Sequence, residues 1–179
     1  MIVAELKNHH EQVIVVFEEH FGKEAKLRGV EIGTMAGDLT KALLNYFPNL
    51  TLLTIDPWEH REGEGYEAGN DQNYHDRQKK AALHKLHEFG NRVCIWQATS
   101  DRVFEMGRDH YRDSDFVWID GHHSEEQVRR DIENYRKLVR KGGIIGGHDY
   151  GLVPDVTKVV DEIYPHRKTG VDFTWWIYK

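Results

Sequence analysis

The sequence predicts an α/β fold, a mainly parallel sheet with helices on both faces. Three observations lead there. Segments of helical periodicity alternate with short β-rich runs along the chain. The β-rich runs are nearly continuous in apolar residues, as in Leu50-Thr-Leu-Leu-Thr-Ile55, which suits strands buried on both faces. The alternation itself implies right-handed crossovers between parallel strands.

In chain order, residues 5–21 carry Leu6, Val13, Phe17 and Phe21 at helical spacing. Leu27 to Ile32 reads as a strand that ends in glycines. Asp38 to Phe47 reads as a helix: Leu39, Leu43 and Phe47 are four apart, Asp38 suits the positive end of the dipole, and Pro48 stops it. Leu50 to Ile55 is the second strand, residues 59–70 a polar surface loop, and Asp71 to Phe89 a charged helix. Val93 to Trp96 is a strand, Asp101 to Met106 a short helix, and Asp115 to Ile119 a buried strand. Ser124 to Arg140 is predicted helical. A Ser124/Gln127 capping box opens it, Val128, Ile132, Tyr135 and Val139 form its stripe, and Arg140-Lys141-Gly142 close it. Gly143 to Gly146 follows as a strand, then a helix near 155–163 and a β-rich tail, Phe173 to Tyr178.

Length and composition bound the function. The 179 residues fit one domain, 1–179, in which residues 1–25 form an N-terminal helical extension. A mean hydropathy of −0.68 and the lack of any apolar run of about 18 residues argue against a membrane span. The net charge of −6 gives no electrostatic support to a nucleic-acid partner. Cys94 is the single cysteine, which excludes an internal disulfide and a cysteine-based zinc cluster. With no leader visible at the start, a cytoplasmic setting is expected. Homo-oligomer formation is left open. The chain is rich in histidine, with 12 residues.

In open parallel sheets ligands bind at the carboxyl ends of the strands, so those residues carry the functional reading. The first strand ends in Glu31-Ile-Gly33-Thr34-Met-Ala-Gly37. Its Glu-x-Gly-x-x-x-Gly spacing differs from the dinucleotide fingerprint but still lets a ligand lie against the backbone. The second ends at Asp56, 25 residues past Glu31, where an acid can accept from a ribose diol or can act as a turn residue. The third ends at Thr99 and Ser100, whose hydroxyls can meet an adenine edge; Ser100 can equally cap the next helix. The fourth ends in Asp120-Gly-His122-His123 and the fifth in His148-Asp149. Adjacent tips that offer carboxylate and imidazole can converge on one divalent cation, though each residue alone also fits a cap or an exposed loop.

Residues 30–37 (VEIGTMAG), 52–58 (LLTIDPW), 96–102 (WQATSDR) and 116–150 (FVWIDGHHSEEQVRRDIENYRKLVRKGGIIGGHDY) together resemble class I S-adenosylmethionine-dependent methyltransferases. The likeness is to the small group of metal-dependent macrolide-sugar O-methyltransferases, cephalosporin-hydroxylase-like proteins and, more distantly, catechol O-methyltransferase. It spans about residues 27–178. It implies a Rossmann-like, seven-stranded sheet whose last strand, Phe173 to Tyr178, is antiparallel.

By that resemblance Glu31, Gly33, Thr34 and Gly37 line the methionine end of S-adenosylmethionine, Asp56 holds the ribose, and Thr99 and Ser100 approach the adenine. Asp120 is the first metal carboxylate and also borders the cofactor. His148 and Asp149 are the second and third ligands of a Mg, Mn or similar ion. His123 stands where metal-dependent members carry the base, and His122 borders the cofactor. Two departures follow: His148 stands where an acid is usual, which favours a softer metal, and Leu39 stands where some relatives offer a hydroxyl. Trp58, Tyr66 or Tyr74 is a candidate to cover the cofactor, while Trp96 and Trp118 are expected in the core. The implied reaction is metal-assisted O-methylation of a small-molecule or sugar hydroxyl. The residues themselves also leave open a metal-independent methyltransferase, a catalytically silent cofactor-binding domain and an interaction module.

Overall fold

The computed structural model describes residues 6–60 and 70–179; Tyr66 lies outside them. Helix α1 (His9–Phe21) precedes β1 (Leu27–Ile32), α2 (Asp38–Tyr46), β2 (Leu50–Ile55), α3 (Gln72–Leu86), β3 (Val93–Trp96) and α4 (Ser100–Gly107). Then come β4 (Ser114–Ile119), α5 (Glu125–Tyr135), β5 (Val139–Gly147), α6 (Pro154–Ile163), β6 (Lys168–Thr169) and β7 (Trp175–Tyr178). The sheet order is β3-β2-β1-β4-β5-β7-β6. Strands β1 to β5 pair in parallel, β7 is antiparallel to β5, and β6 is antiparallel to β7. The order reverses between β1 and β4, which opens the crevice where such sheets bind ligands.

Successive strand residues point to opposite faces, and here both faces are buried. Leu52, Phe116 and Trp118 pack with Val13 and Phe17 of α1, Leu43 of α2 and Leu86 of α3. Their neighbours Leu53, Val117 and Ile119 pack with Val103 of α4, Ile132 of α5 and Val159 of α6. That explains the near-continuous apolar runs. Gly29 answers Phe116 on the next strand: a Cβ there would sit 2.1 Å from the ring.

Several boundaries differ from expectation. The helix expected over Ser124 to Arg140 ends at Tyr135, and Val139 and Arg140 belong to β5. Sheet pairing overrides their helical spacing: Val139 stands opposite Ser114, and the Arg140 guanidinium donates to Asp115 Oδ1 at 2.7 Å. Only half of the Ser124/Gln127 box forms, because the Gln127 amide turns to Asp131 and Ser100. The two-residue strand β6 is exposed and carries no apolar signal. Asp71 caps α3, which gives way at Leu86 to a 3-10 turn, His87–Arg92. Trp118 is core as expected, and Trp96, only partly buried, packs against the cluster on the other face of the sheet. Trp58 is also core, 2% exposed, with its indole N–H donating to the Met35 carbonyl at 2.9 Å. Among the described residues, no helix is long and apolar enough to cross a membrane.

Candidate active site

A cavity of about 930 Å³ opens at the carboxyl ends of β1, β2, β4 and β5. The tip of β1 is wedged between its neighbours: the Gly33 N–H donates to the Ile55 carbonyl and the Asp120 N–H to the Ile32 carbonyl, both at 2.8 Å. Gly33 adopts φ +92°, and a Cβ there would meet the Asp120 carbonyl oxygen at 1.8 Å. Only glycine fits. Gly37 serves the fold rather than the cavity wall; it starts α2 at φ +78° and lets Ala82 of α3 approach closely.

Glu31 lies beneath this turn, fully enclosed, and accepts from the hydroxyls of Thr40 and Thr54, the latter at 2.6 Å. The Thr34 hydroxyl pairs with Thr54 at 2.5 Å, so that side chain joins the same buried network. Burial pushes the Glu31 carboxyl from the ordinary 4.5 up to about 7, against the two hydroxyls that favour its charged form. A raised carboxyl pKa means the unfolded chain ionises first. Its contribution to stability is therefore full below about pH 4.5, declines as pH rises towards 7, and is lost above that. Glu31→Gln should abolish a loss of about 2.5 kcal/mol between pH 5 and pH 8 relative to wild type, read from urea unfolding at both pH values. Identical pH profiles would contradict the assignment.

Asp56 holds two strained turns. Its Oδ2 accepts from the Met35 N–H and its Oδ1 from the Trp58 N–H, each at 2.8 Å, and both donors have positive φ, +47° and +45°. Burial raises the Asp56 pKa although these amides oppose it. The carboxylate borders the cavity and keeps further lone pairs for a ligand. Thr99, not Ser100, caps α4. The Ser100 hydroxyl instead donates to Asp131 at 2.6 Å, beside the Gln127 amide at 3.0 Å. Burial pushes Asp131 up to about 7. Sequence reasoning missed both Gln127 and Asp131 at this wall; the capping-box pattern concealed Gln127.

The tips of β4 and β5 bring Asp120, His123, His148 and Asp149 together. His123 Nε2 lies 2.7 Å from Asp149 Oδ2. His148 Nδ1 lies 3.3 Å from Asp149 Oδ1 and 3.6 Å from Asp120 Oδ1. One ligand atom each from Asp120, His123 and Asp149 falls within 4.8 Å of the others. Burial alone would lower the His148 pKa; the two carboxylates overcome it and push it up to about 10. Asp149 is likewise drawn well below the usual carboxylate range by His123 and His148, against burial. Asp149 sits at φ +63°, a conformation that aspartate tolerates better than most residues. His122 borders the cavity, but its Nδ1 faces the Ser124 cap, 3.0 Å from the hydroxyl. Tyr74 also lines the cavity, as do His9 and His10 of α1, which the sequence pattern assigned to an extension outside the site.

A parallel sheet whose order reverses over a glycine turn, with an acid at the second tip and an acid-imidazole cluster at the fourth and fifth, places a ligand crevice at the strand ends of an α/β domain. The methyltransferase domain family model matches residues 30–150, and the chain belongs to that family. It is an S-adenosylmethionine-dependent methyltransferase. Solved structures share the fold. CalS11, a calicheamicin methyltransferase, superposes with TM-score 0.67 at 12% identity, over 97% of this chain and 80% of its own. A Staphylococcus aureus protein provisionally assigned as a caffeoyl-CoA O-methyltransferase gives TM-score 0.66 at 16% identity, over 97% and 84%. The O-methyltransferase TomG of Streptomyces achromogenes, solved with S-adenosylmethionine, gives 0.64 at 15%, over 95% and 79%. No curated protein sequence matches the chain.

Proposed function

We propose that this methyltransferase acts on a hydroxyl of a small molecule or sugar, with a divalent cation at the tips of β4 and β5. The observation that carries the reading is the convergence of Asp120, His123, His148 and Asp149 on the cavity that Gly33 and Asp56 border. The cavity volume suits a nucleoside cofactor with a small acceptor beside it. The metal-dependent O-methyltransferases that the sequence resembles and the O-methyltransferase fold neighbours support an oxygen acceptor.

S-adenosylmethionine supplies a sulfonium-activated methyl group, so the chain's own task is alignment and removal of one proton. Asp56 would hold the ribose hydroxyls, and the backbone at Gly33 and Thr34 would receive the methionine end. Thr99 and Ser100 would border the adenine. The donor set fits a divalent ion: Asp120 and Asp149 provide carboxylates and His148 an imidazole. Such an ion favours the ionised form of a hydroxyl. His123 is the base. Asp149, 2.7 Å from the His123 ring, orients it and favours the imidazolium that forms.

Calorimetric titration and an acceptor screen with labelled S-adenosylmethionine test the reading. S-adenosylmethionine should bind and NAD should not. Asp56→Ala should weaken binding by about 1.5–3 kcal/mol, the worth of charge-assisted hydrogen bonds to the ribose. Unchanged affinity would reduce Asp56 to its turn role. Chelation should abolish turnover of the acceptor found by the screen, and full turnover in chelator would overturn the metal assignment.

A further inference from the structure

His148 faces two ways. Its Nδ1 looks towards Asp120 and Asp149, while its Nε2 looks away from them towards Asp172, with Oδ1 at 4.0 Å. Among the described residues that nitrogen is buried without a hydrogen-bond partner, and 4.0 Å is too long for a hydrogen bond. Asp172 also meets His9: its Oδ2 accepts from the His9 N–H at 2.9 Å and lies 2.8 Å from Nδ1. The His9 and His148 rings approach to 4.3 Å between centroids. Ligand atoms of His9, His148 and Asp172 all lie within 4.8 Å of one another. Nitrogen and oxygen ligands sit about 2.0–2.2 Å from a zinc-class ion, so two donors sharing one ion stand roughly 3.3–3.6 Å apart. The His148–Asp172 separation would close by about half an ångström and the 2.8 Å His9–Asp172 hydrogen bond would open by a similar amount to share one ion.

We propose that His9, His148 and Asp172 form a second divalent-cation site at the cavity rim, separate from the ion beside Asp120 and Asp149. Two imidazoles and one carboxylate favour zinc, cobalt or ferrous iron over magnesium. The ligands come from the start of α1, the end of β5 and the turn before β7, so an ion there ties the first helix to the C-terminal hairpin. That junction does not depend on the ion. The Val171 N–H already donates to Gln12 Oε1 at 3.1 Å, so loss of a ligand should leave the fold intact. The two sites share His148: with both ions bound it would release its ring proton and bridge them as an imidazolate, Nδ1 towards Asp120 and Asp149 and Nε2 towards Asp172.

The full chain, stripped with chelator, is titrated with Zn²⁺ against a chromophoric competitor, with excess Mg²⁺ present. His9→Ala, Asp172→Asn and Asp149→Asn are compared, their thermal transitions without metal confirming folding. Wild type should take up about two Zn²⁺, and His9→Ala and Asp172→Asn about one. Asp149→Asn should keep the rim site, and Zn²⁺ should shift the His9 ring nitrogens in NMR spectra. Loss of one ion in His9→Ala with none lost in Asp149→Asn would support the rim site and count against the catalytic ion. One ion in wild type that His9→Ala retains, or none, would overturn the proposal and leave His9 and Asp172 a plain ion pair.

Discussion

His123→Ala is expected to lower kcat by about 10²–10⁴-fold at saturating cofactor, the usual worth of a positioned general base. That corresponds to about 3–5 kcal/mol of transition-state stabilisation. The ring is held 2.7 Å from Asp149 at the cavity wall. His122→Ala is the control, because that ring is turned onto the helix cap at Ser124. A base role requires a fall specific to His123, with affinity for S-adenosylmethionine unchanged and cation stoichiometry preserved in equilibrium dialysis. Loss of a bound ion in His123→Ala would make His123 a ligand instead. Full activity would remove it from the mechanism.

Gly33→Ala should have the largest effect on the fold, a loss on the order of 3–5 kcal/mol in urea unfolding together with loss of S-adenosylmethionine binding. Two costs combine there. A side chain at φ +92° is strained, and its Cβ would stand 1.8 Å from a backbone oxygen that cannot turn aside, because β1 and β4 are paired up to that point. Gly37→Ala separates the two costs. Its φ of +78° carries similar strain, but the added Cβ meets the flexible end of Leu86 at 3.2 Å, with Ala82 behind it. About 1–2 kcal/mol is expected there. Equal losses at the two glycines would show that the clash at Gly33 relaxes freely.

Sheet, helices and strand tips were legible because burial on two faces writes continuous apolar runs into strands such as Leu50–Ile55, and helical stripes such as Val128, Ile132 and Tyr135 face them. Local pattern misled where a neighbouring strand outweighed it. Val139 continues the stripe of α5 on paper, yet it pairs with Ser114 in the sheet. The half-formed capping box shows the same competition at side-chain level, since a buried carboxyl at Asp131 claims the Gln127 amide.

The residues at the candidate site divide along the same line. Glu31, Gly33, Asp56, Asp120, His123, His148 and Asp149 could be named from the sequence, because a parallel sheet delivers every strand end to one edge. Their roles could not. Which carboxylate orients His123, and that Asp56 spends hydrogen bonds on Met35 and Trp58, depend on side-chain directions that strand order alone does not set. His9 and Asp172 were invisible for a stronger reason. They stand 163 residues apart in segments with no motif. They meet only because α1 packs on the sheet beside Phe116 and Trp118 while β7 returns antiparallel along β5, bringing both ends of the chain to the cavity rim. Periodicity reports which face of an element is buried, so the sequence by itself determined the layers and the catalytic edge. Long-range packing selects which distant side chains share a point in space, and so the tertiary structure alone decided the contacts of His148 and the partners of His9.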